Sequence, residues 1–285
     1  MSTPKILRVS SATLIVAAGL INTALLNTAG CNSAAPPADT PPDVPPQSTM
    51  LMDFSALPGT DAKATARVQQ PFPGTTALYA GGNLVVWNTI ITVTLAVPVA
   101  AFVASFNTDP VQLDDGRWQW SYSFMAAGDE FTAKLQADVS NNGVDWFMLV
   151  SRSGAYTDFE WFTGHSNLAG TTGAWTLNYP PGNDPENPRQ FIFIEWSRDA
   201  NGDTAQIKYT NVTENAPENG GYIEYGITDN TTYDAFYTIA SAGDDHTIAI
   251  EFNTDTIAGR VRDEIHFNDA DWHCWDTDFQ NTECP

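Results

Sequence analysis

The sequence predicts a mainly β protein, a long antiparallel meander curled into an open or incomplete barrel with one apolar helix packed against it. Three observations carry that reading. Aromatic and β-branched residues alternate with polar ones through most of the chain after residue 117. Short turns rich in Gly, Asn and Asp separate these runs at regular intervals. One largely apolar stretch, residues 84–106, precedes them and breaks the period.

Taken in order, the chain opens with Lys5 and Arg8, an apolar run over residues 14–26, and the small residues Thr28, Ala29 and Gly30 ahead of Cys31. That is the layout of a secretory signal peptide spanning residues 1–30. The run is interrupted by Asn22 and Thr23 and falls short of the ~20 apolar residues a spanning helix needs. Ala29-Gly30-Cys31 resembles the lipobox of bacterial lipoproteins. The resemblance covers the leader alone, and Thr28 stands where that family usually has Leu. It implies a lipidated Cys31 that becomes the first residue of the mature chain. An Asn at position 32, directly after the cysteine, is similar to the pattern in lipoproteins forwarded to the outer membrane. The expectation is therefore an exported protein, lipid-anchored to the cell envelope and facing the periplasm or the cell surface. A plain secreted chain with an incidental Cys31 is the alternative.

Residues 31–49 carry six prolines, Pro36, Pro37, Pro41, Pro42, Pro45 and Pro46, and read as a semi-rigid tether. In polyproline II geometry such a segment holds a domain roughly 50 Å from its anchor. Net charge supports an anchor made of lipid. With 34 Asp+Glu against 12 Lys+Arg the chain carries −22, and removing the leader removes two positive charges and no negative one. Such a surface is repelled by anionic headgroups. The same imbalance excludes nucleic acid as a partner, because phosphates are bound by Lys and Arg. The composition names no protein partner.

Residues 50–285 form the single globular domain. Residues 84–106 suit a buried helix, broken or kinked by Pro98, with Val85, Asn88, Thr89, Thr92 and Ala96 as its smaller, more polar stripe. The density of β-branched residues leaves two strands open as the alternative. From residue 118 the period is two. Trp118, Trp120, Tyr122 and Phe124 fall on one face, Gln119, Ser121 and Ser123 on the other. Residues 133–139 and 144–150 repeat the pattern around Asn142-Gly143, a hairpin signal. Further runs lie at 159–161, 174–178, 191–196, 205–209, 222–227, 233–239, 247–252 and 257–261, giving about ten or eleven strands. An antiparallel curl with one apolar face and a helix against it is similar to lipocalins and to the half-barrels of lipoprotein-localisation factors. That likeness is architectural and carries no residue across.

Few residues point to chemistry. Cys274 and Cys284, separated by nine residues in an exported chain, read as a disulfide. A nucleophilic Cys274 beside His273 is disfavoured, because neighbours on a strand point to opposite faces. His266, Asp269, Asp271 and His273 offer the ligand types of zinc or copper without a metal motif's spacing, and a polar C-terminal cap accounts for them equally. Asp199, Asn201 and Asp203 alternate as in a calcium loop, but Thr204 stands where its glycine belongs. A hairpin turn on Asn201-Gly202 is simpler. Glu160, Glu195, Glu224 and Glu251 lie within aromatic strands. A glycoside hydrolase would need two of them at a set separation, whereas Glu160 and Glu195 alternate with apolar neighbours and belong on the solvent side.

No nucleophile elbow, phosphate loop or dinucleotide fingerprint occurs, so no cofactor is expected and an enzyme is not indicated. The leading expectation is a membrane-anchored envelope lipoprotein whose domain is a binding or structural module for an apolar ligand or lipid. A carbohydrate-active envelope hydrolase using strand carboxylates is the runner-up.

Overall fold

The computed structural model describes residues 40–52, 54, 74–182, 184–199 and 204–285. The leader, Cys31 and residues 201–203 of the calcium-like turn lie outside them. In chain order the elements are a 3-10 helix (Gln47–Thr49), α1 (Thr75–Thr94), α2 (Ala96–Ser105), β1 (Val111–Gln112), β2 (Trp118–Ala126), β3 (Asp129–Ser140), β4 (Gly143–Arg152), β5 (Tyr156–Ser166), β6 (Thr172–Asn178), β7 (Gln190–Arg198), β8 (Thr204–Asn211), β9 (Tyr222–Ile227), β10 (Ala235–Ser241), β11 (His246–Phe252), β12 (Gly259–Arg262), α3 (Glu264–Phe267), β13 (His273–Trp275) and β14 (Asn281–Thr282). Among the described residues the fourteen strands form one antiparallel sheet in strict sequence order, open between its edges β1 and β14. Beyond the eleven runs expected, the sheet gains β1, β13 and β14. Each is only two or three residues long, too short for alternation to show.

Alternation sorts the two faces. One cross-strand row runs Trp175, Ile194, Tyr209, Ile223, Ile239 and Ile248, and every member is buried. The neighbouring row runs Ala174, Glu195, Lys208, Glu224, Thr238, Ala249 and Arg262 and forms the polar outer face. On the inner face three tryptophans each pair with a glycine: Trp175 with Gly164, Trp196 with Gly173 and Trp275 with Gly259. A Cβ on any of these glycines would come within 2.2–2.4 Å of its tryptophan's ring carbons. The indoles therefore occupy the space the missing side chains leave.

Residues 84–106 are helical, which resolves the helix-or-strand alternative. The helix begins earlier than its apolar run, at Thr75, and breaks at Leu95, with α2 bent 69° from α1. Pro98 is not the break. It sits in the first turn of α2, where a missing N–H costs nothing. Three polar residues in the body of α1 bond within it: Asn83 donates to the Tyr79 carbonyl, Thr89 to the Val85 carbonyl and Thr92 to Asn88. Among the described residues no single helix is long and apolar enough to cross a membrane.

The helices link the two ends of the sheet. α2 packs on β2 and β3, and α1 packs on β12, β13 and β14. Phe102 of α2 is fully buried against Phe162 and Trp175, and Tyr122 of β2 donates to the Ala101 carbonyl at 2.7 Å. The N-terminus of α1 is capped from far away. Gly74 brings no side chain, but Asn281 of β14 accepts from the Thr76 N–H at 3.1 Å and donates to Thr75 at 2.9 Å.

The last residues of the stretch read as a tether lie on the domain. Val44 packs against the core, Pro45 is buried, and Thr49 and Met50 are fully buried. Prolines have no N–H to satisfy, so this stretch lies on the domain without a ladder of its own. It is fastened at its end. Tyr209 donates to the Met50 carbonyl at 2.8 Å and accepts from the Met52 N–H at 2.9 Å, and Phe54 stacks on Tyr237.

Candidate apolar groove

With α2 over the first strands and the 3-10 helix Gln47–Thr49 over β7 and β8, part of the inner face is left uncovered by the described residues beneath the second half of α1. A groove of about 490 Å³ remains there. Its roof is Trp87, Ile90, Ile91 and Thr94 of α1, and its floor is Ile192, Tyr209, Ile239 and Ile248. The volume lies within the roughly 300–1,000 Å³ of pockets that hold one small ligand.

Polar groups gather at one rim. The connections β6–β7, β8–β9 and β10–β11 all emerge on the same side of an antiparallel meander, and they bring Tyr179, Asn211, Thr213, Glu218, Ser241 and His246 to the groove. Tyr179 and Thr213 bond through their hydroxyls at 2.9 Å. Ser241 donates to Glu218 Oε2 at 3.1 Å, and the Gly243 N–H reaches the same oxygen. The β8–β9 loop is closed by Gly220, whose φ of +92° favours glycine, and whose N–H donates to the Asn211 carbonyl at 2.8 Å.

Behind the rim lies a buried carboxylate. Asp263, at the end of β12, is inaccessible to solvent yet fully occupied. It accepts from His246 Nε2 at 2.8 Å, from the backbone N–H groups of Ile265 and His266, and from the hydroxyl of Tyr79 in α1. Burial by itself would raise the Asp263 carboxyl. The hydrogen bonds from Tyr79, His266 and His246 outweigh it and hold the group below the usual carboxylate range. The Tyr79 phenol is pushed well above its ordinary value, first by burial and then by that carboxylate, so it stays a donor.

Ser241 and His246 are direct cross-strand partners, and His246 leans on Asp263. These are the residue types of a hydrolytic triad. The Ser241 hydroxyl, however, is committed to Glu218, so the set is a hydrogen-bonded rim and not an activated nucleophile.

The residues singled out from sequence fall elsewhere. Cys274 and Cys284 are joined, with their Cα atoms 5.2 Å apart. His266 stacks on Tyr79, while His273 stacks on Phe267 and bonds Asp269 at 3.0 Å. Asp269 also accepts from the Asp271 N–H. Among the described residues no cluster of His, Cys, Asp or Glu is arranged to hold a metal ion, and His266, Asp269 and Asp271 are exposed. Glu160, Glu195, Glu224 and Glu251 all stand on the outer face. Glu251 is paired with Arg260, Glu224 with Gln206, and Lys208 separates Glu195 from Glu224. No family model, curated protein or solved structure matches this chain.

The groove residues escaped the sequence reading because each looks like an ordinary residue of its own helix, strand or loop. Two signals were available. The four-residue turn 242–245 sets Ser241 opposite His246 by register alone, and Asp263 followed by Glu264-Ile265-His266 has the form of a helix N-cap.

Proposed function

We propose that this protein is a membrane-anchored envelope lipoprotein whose domain binds an apolar small molecule. The observation that carries the reading is the groove beneath α1, walled by Trp87, Ile91, Tyr209, Ile239 and Ile248 and open at a polar rim. A soluble domain ordinarily fills such a space with its own side chains, and an apolar cavity with a few convergent polar groups is the usual form of a ligand site. The anchor reading rests on Cys31 and the leader before it.

The test is native mass spectrometry of the full chain recovered from membranes of a bacterium that processes it. A stoichiometric apolar adduct that is lost on organic extraction is the expected result. Repeated preparations with an empty groove would overturn the binding role. Metabolic labelling with a fatty acid tests the anchor: label should appear in the wild-type chain and vanish in Cys31→Ala.

A further inference from the structure

We infer that the groove's ligand carries a single hydrocarbon arm and a cationic head, an amine or a quaternary ammonium. The inference rests on the binding role proposed above and adds the chemistry of the head. The floor and roof are apolar and take up one narrow arm. Their volume of about 490 Å³ sits in the lower half of the small-ligand range, which suits one chain and not several. The head is set by the rim. Glu218 is exposed at the mouth, and the turn it touches through Gly243 brings the exposed Asp244 and Asp245 beside it. Glu214 stands in the same loop as Glu218, and Asp184 and Glu186 in the β6–β7 connection.

Against these carboxylates the rim sets, among the described residues, two basic groups, both engaged. The Arg189 guanidinium lies over the Tyr179 ring at 5.5 Å, and His246 is bonded to Asp263. A carboxylate or phosphate head would meet net repulsion, while an ammonium head would meet attraction. The Trp87 ring lines the same space, and an aromatic ring attracts a cation; the Tyr179 ring is already taken by Phe191 and Arg189. The Glu218 carboxylate accepts from Ser241 and Gly243 and keeps lone pairs free for a third donor.

The experiment compares decylamine, decanol and decanoate, each below its micelle concentration, by calorimetry on the purified full chain. Decylamine should bind about tenfold or more tightly than decanoate at low salt, with decanol between them, and added salt should narrow the gap. Glu218→Gln keeps an acceptor for Ser241 and Gly243. It should weaken decylamine several-fold and leave decanol unchanged. Thr94→Trp, which fills the groove from its roof, should abolish binding of all three. Decanoate binding as tightly as decylamine would overturn the cationic head and leave the groove reading standing. Decylamine binding unaffected by Thr94→Trp would also overturn it, as attraction to the acidic surface at large. Failure of all three to bind would sink the groove reading itself.

Discussion

The hydroxyl of Tyr79 in α1 donates to the buried carboxylate of Asp263, 184 positions further along the chain. The bond fixes α1 to the C-terminal strands, and so sets the height of the groove's roof above its floor. Tyr79→Phe leaves Asp263 buried with one donor fewer, at a cost of about 1–3 kcal/mol. Urea denaturation of the full chain measures that loss. A double-mutant cycle with Asp263→Ala should give strongly non-additive values, because both substitutions remove the same bond. Additive losses would mean that the two side chains stabilise the fold independently.

Acid should dissolve the same network. The Asp263 carboxyl is held below its unfolded value, near 3.8, so its contribution is complete above that pH and is lost as pH falls through the lower folded value. The stability gap between the wild-type chain and Asp263→Asn should therefore be widest at neutral pH and close below about pH 4. Urea midpoints across this range read it directly. A gap that widened on acidification would show that the carboxylate is not charged in the native state.

The bond between Cys274 and Cys284 closes a short loop that holds β13 to β14. Reduction, or Cys284→Ser, should cost about 2–3 kcal/mol. Asn281 of β14 caps α1, so the loss should also appear as faster amide exchange in the first turn of that helix. Exchange confined to residues 273–285 would separate the loop from the helix cap.

Gly164 lies under the Trp175 ring, and a Cβ there would also meet the Ala174 carbonyl, at 2.7 Å. Neither neighbour is a flexible tip that can move aside. Gly164→Ala should destabilise the domain by roughly 1–3 kcal/mol. Gly82→Ala, on an open surface of α1, should be neutral or stabilising, as helix propensity dictates. Thermal melts of the two variants test the contrast.

Pattern and tertiary contact divided what could be read in advance. Residues 118–124 and 133–150 announced their strands because a two-residue period needs only local contrast between faces. β13 and β14 did not, since pairs such as Cys274 with Thr282 exist only once β12 is in place. The break at Leu95 escaped because Pro98, the visible signal, is compatible with a first helical turn. Residues 40–49 looked like a tether because prolines and small residues carry no period, and their attachment through Met50 and Met52 to Tyr209 joins positions more than 150 apart. The groove was least visible of all, being a space left between elements.

The strict sequence order of the strands bears on how the molecule is made. Each hairpin can zip onto the one before it as the chain emerges, with little loop-closure cost, much as repeats add in a solenoid. A stack of that kind would melt piecemeal. The bent pair of helices alters this: α2 sits on β2 while α1 waits for β12, β13 and β14, so the earliest helical segment finishes its docking last. Until the final residues are in place, an uncharged stretch from Thr75 to Ser105 has only part of its binding surface. The step most exposed to misassembly is therefore the closing one, when two ends of the sequence are first brought under a common constraint.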